Sequence, residues 1–249
     1  MLNLLRMDFY RFIRHKPFYI SLLAFIFFQG FATFMTFQFA PEIFIEFSDE
    51  ASYFFNIAKS VPFWGVLYIS FFIISFYLGE CNCGFQKNYI SIKNARRNMI
   101  FSKLIITQIY IVLLLICWVG TDMAARSLFT GHGALGDIGL LLQYVGLQYL
   151  VFAAYSVMFF FITLLCRNYL IALAASAAFM MNLPGMIFSA VDIIFKTNHF
   201  QKLFILNQMQ ILENPISRAN GTTLVLAVAV YAIIFLLLSL RFKKREDLR

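Results

Sequence analysis

Charged residues are scarce in this chain of 249 residues, and their scarcity excludes a soluble protein. Asp, Glu, Lys and Arg make up 13% of the chain, whereas about a quarter is usual for soluble domains. Because charged side chains cover the surface that water touches, most of this chain's exterior must face something else. Only 5 prolines and 12 glycines leave little room for disordered linkers. With 61% hydrophobic residues, the composition indicates an integral membrane protein, and not a secreted disulfide scaffold or a disordered regulator.

The motifs of nucleotide hydrolysis and metal binding are also absent. None of the 12 glycines is followed by Lys, so the phosphate-binding loop of an ATPase is missing. The three histidines, His15, His132 and His199, stand at separate loop or flank positions, whereas a zinc site needs three or four converging ligands. Cys81 and Cys83 supply only two thiols. We therefore predict no catalytic residue, metal site or cofactor in the chain, which is not expected to be an enzyme by itself.

Long runs without charge are present instead, and six of them are long enough to cross a membrane. A bilayer core of about 30 Å needs about 20 apolar residues in a helix. The runs are far longer than the roughly ten alternating residues of a barrel strand, which favours helices. The sequence therefore predicts an all-α membrane protein, one domain over 1–249, with transmembrane helices at 18–39, 61–79, 104–120, 138–165, 169–191 and 222–240.

The distribution of basic residues predicts the orientation. Six spans place both termini on one side, and the flanks on that side hold fifteen of the 20 Lys and Arg residues. The other flanks hold five, together with eight of the 12 acids. Because positive flanks stay inside, both termini are predicted to be cytoplasmic, with the spans in the cell (plasma) membrane. The net charge of +8 is then a topology signal and an attraction to anionic lipid, so no nucleic acid partner is expected.

The N-terminal residues 1–17 resemble an amphipathic elbow helix ahead of the first span. Their apolar positions fall on one helical face and their basic positions on the other, as expected for a helix in the membrane interface. A plain basic anchor beside the membrane is the alternative. The apolar face consists of Leu2, Leu5, Phe9, Phe12 and Ile13.

Within the predicted spans, the polar residues are amides and hydroxyls, and no acid or base is found. Carriers driven by protons or sodium ions usually need ionisable groups there, so an energy source outside the chain is favoured. The fifth span contains Asn182-Leu183-Pro184-Gly185, which should interrupt its helix. Such a break is either a packing kink or part of a pathway lining. The candidate substrate path consists of Gln29, Gln143, Gln148, Asn182, Met180 and Met181.

Two segments between the spans are either ordinary connections or functional elements. The basic loop 80–103 either holds its side of the protein in the cytoplasm or forms a docking surface for a cytoplasmic partner. The outer segment 192–221 is either an ordinary interfacial loop or a set of short helices that dip into the membrane and close the exit.

The loop resembles that of ABC type-2 permeases, particularly permeases of bacterial peptide or lantibiotic export and immunity systems, which implies the cytoplasmic membrane of a bacterium. The resemblance is carried by Gly84-Phe85-Gln86-Lys87-Asn88, the Arg96-Arg97 pair and Ser102-Lys103. The stretch Leu5 to Arg11 and the order of six spans are similar too. In that family the loop seats a coupling helix in a groove of a separate ATPase subunit, and two permease chains form the pathway. The resemblance implies an ATPase-docking loop that includes Gly84, Lys87, Asn88, Arg96, Arg97 and Lys103.

These observations lead to the expectation of a permease subunit of an ATP-driven exporter. Its partners would be cytoplasmic ATPase subunits, a second permease chain and membrane lipid. The ATPase subunits would bind the ATP and Mg, and the second permease chain could be identical or different. Phe and Met in the spans favour an amphipathic peptide or another hydrophobic substrate, removed from the cell or from the membrane. A membrane sensor or scaffold that binds a membrane-active peptide without transporting it is the alternative, and a membrane-embedded enzyme is the third reading.

Overall fold

A computed structural model of the chain describes residues 2–43, 49–60, 63–83, 95–130, 136–197, 204–205, 207 and 218–245. All the regular structure in these ranges is helical. The helices are α1 Leu2–Arg14, α2 Lys16–Phe39, α3 Glu50–Ser60, α4 Phe63–Asn82, α5 Ala95–Thr130, α6 Ile138–Cys166, α7 Tyr169–Met180, α8 Leu183–Phe195 and α9 Arg218–Arg245.

Five of these helices, α2, α4, α5, α6 and α9, are long and apolar enough to cross a membrane. The pair α7 and α8 meets the same test as one broken span, bent by 44° at the break. The described part of the chain therefore has five helices long and apolar enough to be spans, or six if the bent pair counts as one, as in a multi-pass membrane protein. Five of the six predicted runs are helical wherever the structure describes them, and the fifth, 169–191, is helical except at Met181 and Asn182.

The third span is much longer than predicted. The charge-free run 104–120 is only the middle of α5, which begins at Ala95 and ends at Thr130. The predicted span is too short because it stops at charged residues. These residues lie within the helix, where they are buried in ionic contacts with other helices.

The predicted break in the fifth span is confirmed. Helix α7 ends at Met180, and Asn182 adopts the left-handed conformation, with φ of 55°. Helix α8 then starts with Pro184 in its first turn. Backbone N–H groups in a first turn have no partner within the helix, so the N–H that proline lacks costs no helical hydrogen bond. The chain thus changes direction at Asn182 without losing a helical hydrogen bond to proline.

Helix α3 is an element that the sequence analysis did not predict. It has 11 residues, too few to cross a bilayer, and it lies between the first two spans. Phe54 and Phe55 are buried, and the ring of Phe55 stacks on Tyr144 of α6 with 4.5 Å between the ring centres. Helix α3 therefore packs onto the bundle, against α5 and α6, instead of forming an open loop.

The centre of the bundle is formed by α4, α5 and α6. In their most apolar stretches more than half of the residues are buried, against about a fifth in α2 and α9. Aromatic rings fill this centre: Tyr110 of α5 stacks on Phe72 of α4 at 4.2 Å, and Trp118 of α5 stacks on Phe152 of α6 at 6.3 Å. The outer helices α2 and α9 keep apolar faces exposed, as expected for helices that contact lipid.

Helices α4 and α6 are in close contact where Gly65 meets Phe152. A Cβ atom at Gly65 would overlap the Phe152 ring, which is fully buried and stacked on Trp118. Glycine is required here by space and not by backbone conformation. Small residues of this kind let membrane helices pack at short distance.

We expect Gly65→Ala to lower the free energy of unfolding by about 1–3 kcal/mol, because the added methyl group must displace a buried ring. Gly79→Ala is the matched control in the same helix, since a Cβ atom there meets nothing within 4 Å. Thermal unfolding of the purified protein in detergent, followed by circular dichroism, measures both. Equal stability of the two variants would contradict the close approach.

Candidate functional site

The predicted docking residues lie at one end of the bundle where the structure describes them. Gly84, Lys87 and Asn88 are outside the described residues. Arg97 is exposed in the first turn of α5, with its guanidinium 5.7 Å from the centre of the Phe101 ring. Arg96 donates a hydrogen bond of 2.8 Å to the backbone carbonyl of Lys244 near the end of α9. The start of α5 and the end of α9 therefore adjoin.

Lys103, the sixth predicted docking residue, is buried instead of exposed. Its ammonium nitrogen lies 2.6 Å from Oδ1 of Asp8 in α1 and contacts Oε2 of Glu80 in α4. The residue is 1% exposed, so Lys103 stabilises the contact between helices and does not present its charge to a docking partner. We call Asp8, Arg11, Glu80, Ser102 and Lys103 the Lys103 cluster.

The Lys103 cluster is balanced in charge and closely hydrogen bonded. Arg11 Nη1 lies 2.8 Å from Glu80 Oε2, and the Ser102 hydroxyl donates to Asp8 Oδ2 at 2.6 Å. Two carboxylates thus face two cations, which offsets the high cost of removing each charge from water. Such a network stabilises one arrangement of its helices, because the loss of one partner leaves an uncompensated buried charge.

Three elements meet in the Lys103 cluster: α1, the end of α4 and the start of α5. Glu80 and Lys103 are the two ends of the predicted loop 80–103, but the structure places them within α4 and α5. Their ion pair therefore joins these two helices on either side of the shorter segment that connects them. Next to the cluster, burial and the nearby Arg11 lower the pKa of His15 below its ordinary value, which keeps this side chain neutral at pH 7. A displacement of the loop would therefore reach α1 directly through Asp8 and Arg11.

A second group of buried polar side chains lies near the other end of α5. Asp122 Oδ1 accepts hydrogen bonds from the Gln29 amide at 2.8 Å and from the Thr33 hydroxyl at 3.0 Å, both in α2. One turn later, Arg126 Nη1 lies 3.0 Å from Glu50 Oε2 of α3. The guanidinium is also 4.7 Å from the centre of the Tyr53 ring. We call Gln29, Thr33, Glu50, Tyr53, Asp122 and Arg126 the Asp122 cluster.

The predicted substrate-path residues occupy different environments. Gln29 belongs to the Asp122 cluster, whereas Gln148 is fully buried in α6 and neither atom of its amide has a hydrogen-bond partner in the described part of the chain. Gln143 is exposed. Met181 at the break is 66% exposed, and only the backbone of Met180 is described. The structure therefore brings Gln29 into a polar cluster, and it shows no contact that joins these residues into one pathway.

Asn182 is bound to the segment that follows the broken span. Its side-chain amide donates to Oδ1 of Asn207 at 2.9 Å, and Asn207 is buried. Phe204 from the same segment is 2% exposed, with its ring 6.4 Å from that of Phe179 and 6.3 Å from that of Phe188. The described residues of the predicted outer segment thus pack into the break between α7 and α8.

The pairing of the ionisable residues in both clusters could not be predicted, because the sequence pattern assigns these residues to loops and flanks. Asp8 and Lys103 are 95 positions apart, and no local pattern pairs them. Asp122 and Arg126, four positions apart, share one face of a helix, which is a usable signal for an ionic site beyond a span. The expectation of uncharged spans holds for the middle of α5, but not for its two ends.

A search against models of known protein families finds no match for this chain, and no curated protein sequence matches it.

We expect Lys103→Met to lower the free energy of unfolding by about 3–5 kcal/mol, because Asp8 and Glu80 would keep only Arg11 as a counter-ion. Lys16→Met removes an exposed lysine at the same end and should change stability by less than about 0.5 kcal/mol. Thermal unfolding in detergent compares the two variants.

The double variant Lys103→Met with Glu80→Gln is the second control. It removes one charge of each sign, so it should be more stable than Lys103→Met alone. If Lys103→Met were no more harmful than Lys16→Met, the Lys103 cluster would not hold the bundle together.

Proposed function

We propose that this chain is the membrane-spanning permease subunit of an ATP-driven exporter of the ABC type-2 kind. In this proposal a separate cytoplasmic ATPase binds ATP and Mg, and a second permease chain completes the pathway. The substrate is an amphipathic peptide or another hydrophobic molecule that leaves the cell or its membrane. The helical multi-pass architecture is compatible with this role, and because no phosphate-binding loop is found in the sequence, the proposal assigns ATP hydrolysis to a partner chain.

The Lys103 cluster is the observation that carries the proposal. A permease driven from outside must pass a movement of its cytoplasmic loop on to its spans. In this chain the ion pair of Glu80 and Lys103 joins the end of α4 to the first turns of α5, on either side of the segment that connects these helices. The same side chains bind Asp8 and Arg11 of α1. A push on the loop would therefore move α1, α4 and α5 together.

Exposed basic residues surround this end of the bundle. The contact of Arg96 with the Lys244 carbonyl joins the start of α5 to the end of α9, and the Lys103 cluster joins the start of α5 to α1. The positive-inside rule assigns such an end to the cytoplasm. It is the face from which an ATPase would approach, and its exposed cations are Arg6, Arg14, Lys16, Arg97, Arg241 and Lys244.

The other end of the protein has exposed apolar side chains, which suit the release of a hydrophobic substrate. The bent pair α7 and α8 keeps large apolar side chains exposed, with Met186 at 63% and Ile187 at 64%. The described residues of segment 204–207 pack into the break beside them. In the proposal this segment and Asn182 border the exit on the outer side.

We expect Arg97→Glu to reduce the ATPase activity that copurifies with the tagged chain by about tenfold, equivalent to about 1.4 kcal/mol of binding free energy. Arg97 is exposed at the start of α5, so reversing its charge removes a cation that a docked partner would contact. Lys196→Glu is the matched control, because Lys196 is also exposed but lies on the side predicted to be external.

The measurement is ATP hydrolysis in the affinity eluate from the protein's own host membranes. Equal activity in Arg97→Glu and Lys196→Glu would contradict the docking assignment. A wild-type eluate without ATPase activity would contradict the exporter, and a response to peptide in the absence of ATP would favour the sensor.

A further inference from the structure

The Asp122 cluster has one negative charge more than it has cations. Glu50 and Asp122 contribute two carboxyl groups, and Arg126 is the one cation that contacts them among the described residues. The remaining members, Gln29, Thr33 and Tyr53, are neutral. If both carboxyl groups were ionised, the cluster would hold a net charge of −1 away from water, which is strongly unfavourable.

Burial restricts what can balance this charge. Glu50, Asp122 and Arg126 are at most 1% exposed, Thr33 is 1% exposed, and Gln29 is 7% exposed. A peptide side chain cannot reach such a site unless the helices separate. A proton can, because it needs no more space than a hydrogen bond.

Two carboxyl oxygens of the cluster lack a well-aligned hydrogen-bond partner. Asp122 Oδ1 receives both donors from α2, while Asp122 Oδ2 accepts no well-aligned hydrogen bond among the described atoms, although the Trp118 side chain, one turn earlier in α5, interacts with the carboxyl group. Glu50 Oε2 faces Arg126, while Glu50 Oε1 has none either. Both oxygens are buried, where a lone acceptor is costly. A proton on a carboxyl group removes one charge and supplies the donor that these oxygens lack.

The surrounding groups favour a proton over a metal ion. Gln29 turns its NH₂ group, and not its oxygen, towards Asp122. Arg126 already occupies the cationic position next to Glu50. The described residues contain no group of three or more His, Cys, Asp and Glu side chains placed to hold a metal ion. A hard cation would need several oxygen ligands in place of these donors.

We propose that the Asp122 cluster is a proton-binding site, in which Glu50 and Asp122 together hold one proton at neutral pH. The site joins α3 to α2 and α5, so it makes the attachment of α3 dependent on pH. Glu50 is faced by Asp122 and Arg126 of α5, and by Asp49 beside α3. The nearby phenols are Tyr53, under Arg126, and Tyr144 of α6, which is close to Asp49.

The electrostatics of Glu50, which lies outside the spans, agree with this assignment. Burial, followed by the Asp122 carboxylate, raises the pKa of the Glu50 carboxyl to about 8, although Arg126 opposes the rise. The folded protein then keeps a proton that the unfolded chain releases near its ordinary value of 4.5. Stability should therefore fall as the pH rises from about 5 to about 8.

Infrared spectroscopy of the purified full-length protein tests the site directly, because a protonated carboxyl group has its own C=O band. Between pH 6 and pH 9 the wild type should lose one such band, with a midpoint near pH 8. Glu50→Gln and Asp122→Asn should each lack this band already at pH 6, since the remaining carboxylate is balanced by Arg126. Arg126→Gln should strengthen the band, because two carboxyl groups then stay protonated.

Glu42→Gln, which changes an exposed carboxyl group before α3, is the control and should keep the wild-type band. Melting temperatures between pH 6 and pH 9 provide a second readout, which should decrease in the wild type and change less in Glu50→Gln. If the wild type lost no protonated-carboxyl band between pH 6 and pH 9, the proposal would be overturned. A wild-type band that persists in Glu50→Gln or in Asp122→Asn would overturn it as well.

Discussion

Helix α5 must carry charged side chains at both ends of an apolar stretch that is about as long as a bilayer core is thick. Lys103 and Asp122 are separated along this helix by about 28 Å, at about 1.5 Å per residue. The hydrocarbon layer is about 30 Å thick. Both side chains are buried, so each must find its counter-charges or hydrogen bonds within the protein and not in water. The positions of the short helices follow from how the chain supplies these counter-charges and hydrogen bonds.

Two short helices that do not cross the membrane supply the counter-charges. Helix α1 brings Asp8 to Lys103, and helix α3 brings Glu50 to Arg126. The two sites differ in balance: the Lys103 cluster has equal numbers of cations and carboxyl groups, whereas the Asp122 cluster has one carboxyl group in excess. The balanced cluster suits a rigid connection between the loop and the spans, and the unbalanced one suits a site that takes up a proton.

Much of the fold could be predicted from the sequence because the relevant signals are local. Runs of apolar residues reveal the spans, and Asn182-Leu183-Pro184-Gly185 reveals the break, since proline and its neighbours act on their own helix. Helix α3 and the two clusters could not be predicted in this way. Gln29 is predicted to be a path residue because it is an amide within the first span, but its hydrogen-bond partner Asp122 is 93 positions away. Only the packing of α2 on α5 brings the two side chains together.

The central claim is that α5 crosses the membrane with the Lys103 cluster on the cytoplasmic side and the Asp122 cluster on the outer side. Single cysteines at Arg97 and at Leu128, which is 79% exposed, mark the two ends of this one helix once the four native cysteines are replaced. Labelling with a membrane-impermeant maleimide is the direct measurement. In intact cells Leu128→Cys should react and Arg97→Cys should react only after permeabilisation. Reaction of both positions from the same side, or the reverse order, would contradict the account.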